Sequence, residues 1–110
     1  AWLGLTAEVR GRLTIDDGAV AAVIGRGRSL LAAGITDCSG SFTSGDVVEI
    51  ADERGTVHAR GLVQYSASQV PRMMGRSTSQ LREDLGEGYD GVVVHADDWV
   101  RLAPNHAAYS

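Results

Sequence analysis

Turn-forming residues interrupt this sequence at short intervals, so that no helix or strand in it can be long. The 110 residues include 14 glycines, and the segments between them are brief. Residues 10–16 alternate in the manner of a β-strand, which places Leu13 and Ile15 on one face. Residues 46–65 predict a hairpin around the turn at 52–55, where Asp and Gly take the first and fourth positions.

Short helices are predicted between these strands. Asp16 is placed to cap a helix that ends at Gly25, with the apolar stripe Val20, Val23 and Ile24 on one face. Residues 29–35 predict an apolar strand or strand-like segment ended by glycine. Two final strands are predicted at 91–95 and 99–102. Short strands mixed with short helices favour an α+β pseudo-barrel over a doubly wound sheet.

Two further helices are predicted after the hairpin. Either Ser66 or Ser68 could cap the first, and Pro71 favours Ser68 because proline then lies in the first turn. The second begins with the clearer signal, a capping box formed by Ser77 and Gln80. It continues with two leucines on one face and closes at a glycine, which are Leu81, Leu85 and Gly86.

Charge and cysteine content limit the classes of function. The net charge is −4, whereas a protein that binds nucleic acid by itself usually carries a strong basic excess. Cys38 is the only cysteine, so neither an internal disulfide nor a CxxC zinc site can form. No apolar run approaches the roughly 20 residues that span a bilayer, and no signal-peptide pattern is present. These features predict a cytoplasmic location and no membrane partner.

Three local patterns carry candidate chemistry. Residues 25–29, Gly-Arg-Gly-Arg-Ser, predict a plain helix-to-strand loop or, alternatively, a contact for a polyanion. His95, Asp97 and Asp98 have metal-binding and proton-transfer chemistry, but they are more typical of a strand end and its polar turn. Residues 40–45 have the glycine spacing of a P-loop, but Asp46 stands where the lysine is required, which excludes that function.

Aromatic residues that could stack on bases are more typical of a core: Trp2, Tyr65, Tyr89 and Trp99.

Several segments resemble the PUA domain when they are read in order. They are residues 11–35, with an Asp-x-Gly-Ala helix start and a Ser-Leu-Leu-x-x-Gly-Ile segment, residues 39–50, with a Phe-x-x-Gly-Asp-x-Val step, and residues 59–69. Residues 63–100 are further similar to the closing segment of the glutamate 5-kinase family. Ala32 and Ala96 depart from that family's pattern, where proline and arginine are expected. The resemblance implies a PUA-like mixed β pseudo-barrel with short flanking helices.

The resemblance divides the chain and assigns its function. It implies a linker from an absent kinase domain at 1–10, a PUA domain at 11–102 and a frayed tail at 103–110. The full-length enzyme would phosphorylate glutamate with ATP and Mg²⁺ in proline synthesis, with proline as feedback inhibitor. Those ligands would bind the absent domain, so no residue here is assigned to catalysis, to a cofactor or to a metal.

Two functions follow from the resemblance. The chain is either an accessory module that tunes the kinase, through contacts with the kinase domain of the same polypeptide or with a homo-oligomer, or a PUA module that binds RNA. By resemblance to RNA-binding PUA modules, the contact surface would comprise Arg26, Arg28, Gly34 and Arg101. The acidic balance predicts that any RNA binding is weak.

Overall fold

The computed structural model describes residues 8–86 and 91–102. The strands are β1 Val9–Ile15, β2 Leu30–Leu31, β3 Ile35–Gly40, β4 Val47–Asp52, β5 Val57–Leu62, β6 Val92–Val94 and β7 Trp99–Arg101. The helices are α1 Asp17–Val20, α2 Val70–Met73 and α3 Thr78–Leu85, with a π-helical turn at Ala21–Gly25 and a 3₁₀ turn at Ala32–Gly34. The expectations for Trp2, Tyr89, most of the linker and the tail lie outside these residues.

A mixed five-stranded sheet forms the larger layer, in the order β3-β1-β4-β5-β7. β1 and β4 run parallel, and the other neighbouring pairs in this sheet are antiparallel. β2 and β6 form a separate antiparallel pair. The α+β architecture with short helices, predicted from the spacing of turns, is therefore confirmed. None of the helices in the described ranges has the length and apolarity that crossing a bilayer requires.

One apolar core joins the two sheets and the helices. Leu13, Ile15 and Ile50 have no exposed surface, and Leu81 of α3 and Val94 of β6 are equally buried. The alternation predicted for β1 is thus confirmed. Burial of side chains of this size contributes about 1.5–3 kcal/mol each relative to an exposed position, which makes this core the main source of stability.

The capping predictions have three outcomes. Oδ1 of Asp16 accepts a hydrogen bond from Ala19 N at 2.7 Å, which confirms the predicted cap. Ser77 and Gln80 form the full capping box of α3, and Gly86 ends that helix at φ +104°. The prediction that Ser68 caps α2 is wrong, because the helix begins later, after Gln69.

The chain before α2 explains the wrong cap. The Ser66 carbonyl accepts hydrogen bonds from the backbone N–H groups of Gln69 and Val70, both at 3.0 Å. The Gln69 side chain accepts in turn from Ser66 N at 2.9 Å. This closed turn delays the helix, although Pro71 still falls in its first turn as predicted.

Tertiary pairing also separates segments that look continuous in sequence. Residues 29–35 are divided into the two-residue strand β2, a 3₁₀ turn and the start of β3. The two final strands flank a turn at 96–98 as predicted, but β6 pairs with β2 and β7 pairs with β5. As a result, β7 lies beside the chain segment that follows α1.

Candidate functional site

A cavity of about 300 Å³ opens between the first helical segment and the chain that follows it, which comprises the loop before β2, β2 itself and the 3₁₀ turn. Together with the nearby arginines Arg26 and Arg101, we call it the arginine-rimmed pocket. Most of its walls are aliphatic side chains or backbone. The lining residues are Asp16, Ala19, Ala22, Val23, Arg28, Ser29, Leu31, Ala33 and Gly34.

The local sequence shapes this cavity in two places. The Asp16 cap fixes the start of α1, and the Asp16 N–H donates to the Gly34 carbonyl at 3.0 Å, which closes the wall. A Cβ atom at Gly34 would lie 2.6 Å from the Cβ of Ala19. Glycine is therefore required at position 34 for α1 to approach the 3₁₀ turn this closely.

Two hydrogen bonds connect the last strand to the helical turn and to the loop that follows it. The indole Nε1 of Trp99 donates to the Arg28 carbonyl at 3.2 Å. The Arg101 guanidinium donates to the Ile24 carbonyl. The structure therefore brings Arg101 to the same edge as Arg26 and Arg28, although more than 70 residues separate them in sequence.

The three arginines at this edge have no ion-pair partner in the described part of the chain. Arg26, Arg28 and Arg101 are all exposed, and none lies within 4.0 Å of a described carboxylate oxygen. Four other arginines do have such a partner: Arg10, Arg12, Arg54 and Arg76. Three arginines without a described carboxylate partner thus lie near the pocket of a protein that is acidic overall, although the carboxylate residue Asp16 also lies in the pocket wall.

Leu31 adds an apolar group at the same place. Its side chain is 45% exposed, and it is the one large hydrophobic residue that is exposed within the described ranges. It also lines the pocket. The sequence pattern did not reveal this residue, because an apolar strand pattern does not show which side chain faces outward.

A second polar cluster lies at the β4–β5 turn. Asp52 is 1% exposed, and its carboxylate accepts hydrogen bonds from the backbone N–H groups of Arg54 and Thr56 at 2.9 and 3.0 Å. His58 Nε2 and the Arg54 guanidinium complete its shell at 2.9 and 3.1 Å. The hydrogen bond from His58 is the largest cause that lowers the pKa of Asp52 to about 2. The cluster stabilises the hairpin and exposes little of the carboxylate for chemistry.

The turn before β7 holds the remaining candidates, His95, Asp97 and Asp98, and Asp97 is exposed there. His95 is exposed, and its carbonyl accepts from Asp98 N at 2.9 Å in the turn before β7. Asp98 Oδ2 accepts from the Gln64 side chain at 3.3 Å. Within residues 8–86 and 91–102, no three His, Cys, Asp or Glu side chains are grouped so that they could hold a metal ion.

The P-loop-like segment and the cysteine belong to the far end of β3. Asp46 Oδ2 accepts from Thr43 N at 2.9 Å and closes the turn before β4. Cys38 is half-buried on β3, and partial burial followed by the charge of Asp37 raises the pKa of its thiol. A thiol with a raised pKa is less ionised at neutral pH and is therefore a poorer nucleophile.

The sequence pattern of the PUA domain family matches residues 11–85. This chain belongs to the PUA domain family. Among solved structures, it is similar to a PUA domain from Aeropyrum pernix K1 in complex with tartrate. That similarity has a TM-score of 0.53 and 28% sequence identity, and it covers 78% of this chain and 42% of the other. The PUA-like fold expected from the resemblance is therefore confirmed.

Curated relatives of this PUA domain are glutamate 5-kinases. The chain is 50% identical over 103 residues to the glutamate 5-kinase of Streptomyces avermitilis, which covers 94% of the chain and 28% of the relative. It is 52% identical over 101 residues to that of Salinispora arenicola, covering 92% and 27%. The chain thus spans little more than a quarter of the length of these relatives.

Proposed function

We propose that this chain is the accessory PUA domain of a glutamate 5-kinase. The proposal rests on the 50% sequence identity between this chain and a curated glutamate 5-kinase. The match covers 94% of this chain and 28% of that enzyme. The parent enzyme would transfer the γ-phosphate of ATP to the side-chain carboxylate of glutamate in the cytoplasm. The chain would contribute regulation or assembly and no reacting group.

The described residues support placing catalysis elsewhere in the parent. Phosphoryl transfer requires a bound nucleotide, a metal ion and a cationic clamp around the transferred group. The described ranges contain no cluster of metal-binding side chains, and the segment with P-loop spacing carries Asp46 in place of lysine. We therefore assign ATP, Mg²⁺ and glutamate to the kinase domain of the parent.

An accessory domain tunes an enzyme only if its contacts differ between the states of that enzyme. Couplings between distinct sites are typically about 1–3 kcal/mol, or roughly 5- to 150-fold in affinity. In this protein the coupling would act through the kinase domain of the same polypeptide or through a homo-oligomer. It would appear as a change in the proline concentration that gives half inhibition, or as a change in oligomeric state.

The test uses the full-length glutamate 5-kinase of Streptomyces avermitilis, a deletion of its matching segment, and a chimera in which this chain replaces that segment. We expect all three to phosphorylate glutamate. The deletion should shift half inhibition by proline about 5- to 150-fold or alter the oligomer measured by light scattering, and the chimera should restore it. Loss of turnover in a well-folded deletion would contradict the accessory role, as would unchanged inhibition and assembly.

RNA binding is a second candidate function, favoured by the three arginines near the pocket that have no described carboxylate partner. Its contact residues would be Arg26, Arg28, Gly34 and Arg101. Three arginines neutralise few phosphates, and the net charge is −4, so we expect dissociation constants no tighter than about 10⁻⁴ to 10⁻⁶ M at physiological salt. Fluorescence anisotropy with a structured RNA measures this. Nanomolar, sequence-selective binding would make RNA the better function.

A further inference from the structure

The chemistry of the arginine-rimmed pocket favours an apolar side chain as its occupant. Within the part of the chain that the structure describes, its lining includes Ala19, Ala22, Val23, Leu31 and Ala33 and no aromatic residue; the nearby Trp99 indole is engaged with the Arg28 carbonyl. Without an aromatic platform, a nucleobase gains none of the stacking that single-strand binders use. An aliphatic side chain of a partner would bury apolar surface against these methyl groups, including the exposed surface of Leu31.

The polar groups in the lining are largely engaged within the protein. Oδ1 of Asp16 accepts from Ala19 N at 2.7 Å, and Oγ of Ser29 accepts from Ala96 N at 2.9 Å. Apart from the Arg28 guanidinium, a base edge placed in this cavity would find few free side-chain donors and acceptors among the described lining residues, and polar atoms buried there without partners would be costly. An aliphatic side chain needs none, so the interior of the pocket discriminates against a base.

The rim supplies the complementary polar contacts. Arg26, Arg28 and Arg101 are exposed without a described carboxylate partner. Guanidinium groups bind carboxylates through paired, charge-assisted hydrogen bonds. A long phosphate backbone would also meet the negative charge of Asp16 and Asp17 at the start of α1. A peptide that fills the cavity also passes Asp16, which lines it, but a short segment carries few charges and therefore meets less repulsion than a long phosphate backbone.

We propose that the arginine-rimmed pocket docks an acidic peptide segment of a partner protein. One aliphatic side chain of that segment occupies the cavity against Leu31, and flanking Asp or Glu side chains pair with Arg26, Arg28 and Arg101. The proposal names a partner for the accessory domain but rests on the surface of this chain, so it holds whether or not the parent is a glutamate 5-kinase.

The test selects peptides from a phage-displayed random twelve-residue library on the immobilised chain. We expect the recovered peptides to combine acidic residues with Leu, Ile or Met. Fluorescence anisotropy then compares the best peptide on the wild type, Arg28→Ala, Ala33→Trp and the control Arg82→Ala, an exposed arginine of α3. We expect the two pocket variants, Arg28→Ala and Ala33→Trp, to bind the peptide about tenfold more weakly or worse. Binding to the control should be unchanged.

Leu31→Ser provides a second pocket variant should Ala33→Trp fail to fold, and circular dichroism checks each protein. Failure to enrich any peptide over an albumin blank would overturn the proposal, as would recovered peptides without an acidic bias or binding indifferent to the pocket variants. Single-stranded RNA that binds more tightly than the peptide, and loses affinity in the same variants, would assign the pocket to RNA. None of these results changes the outcome of the chimera experiment.

Discussion

The imidazole Nε2 of His58 lies 2.9 Å from Oδ2 of Asp52, and the two side chains tie the beginning of β5 to the end of β4. Asp52 also binds Arg54, whose guanidinium lies 3.8 Å from the Asp17 carboxylate at the start of α1. A buried carboxylate in the hairpin turn therefore connects, through one arginine, to the helix that walls the pocket.

Acid should destabilise the protein through Asp52. The pKa of Asp52 falls from 3.8 to about 2 in the folded protein. Its contribution to the free energy of unfolding is therefore complete above pH 3.8 and is lost as the pH falls through about 2. In that interval the unfolded chain binds a proton that the folded chain does not. Urea unfolding between pH 5 and 2 should show this loss in the wild type and a weaker dependence in Asp52→Asn.

Glu53→Gln is the matched control for this experiment, because it removes the same charge from the neighbouring exposed position. It should leave the pH dependence as in the wild type. If the stability of Asp52→Asn fell equally steeply in acid, another carboxylate would be the cause of the loss.

Two glycines should respond in opposite ways to alanine. A Cβ at Gly61 would lie 2.7 Å from Val94 Cγ1 and 3.0 Å from Trp99 Cβ, so Gly61→Ala should destabilise the fold by about 1–3 kcal/mol. Beyond its chain neighbours and its own helical turn, a Cβ at Gly25 would meet no described atom within 4 Å, and the φ of Gly25 is not positive. Gly25→Ala should be neutral or stabilise by up to about 1 kcal/mol. Chemical denaturation measures both, and equal effects would contradict the packing argument.

Removing the capping box of α3 should lower the stability of the protein. Ser77 Oγ accepts from Gln80 N at 3.2 Å, and this bond satisfies one of the free amides of the first turn. Ser77→Ala should lower the free energy of unfolding by about 1 kcal/mol. Ser79→Ala, at an exposed position inside the same helix, is the control and should have little effect or stabilise slightly.

The chain by itself should not phosphorylate glutamate. The described residues provide no metal-binding cluster, and the segment with P-loop spacing lacks its lysine. ADP release with glutamate and Mg-ATP should therefore equal that of a blank without protein. Glutamate-dependent release above the blank would show that the chain carries an active site of its own.

Local signals in the sequence determined the cap at Asp16, the capping box at Ser77, the turn after Asp52 and the alternation of β1, because each depends on a few neighbouring residues. The tertiary structure decided what depends on distant partners. The Ser66–Gln69 turn displaced the predicted cap, and the pairing of β7 with β5 brought Arg101 beside the loop of Arg26 and Arg28. Periodicity assigns a residue to a face but does not say what covers that face. The exposure of Leu31, and the pocket that residues 16–34 form beside it, therefore appeared only when the helical segment was packed against β2 and the 3₁₀ turn.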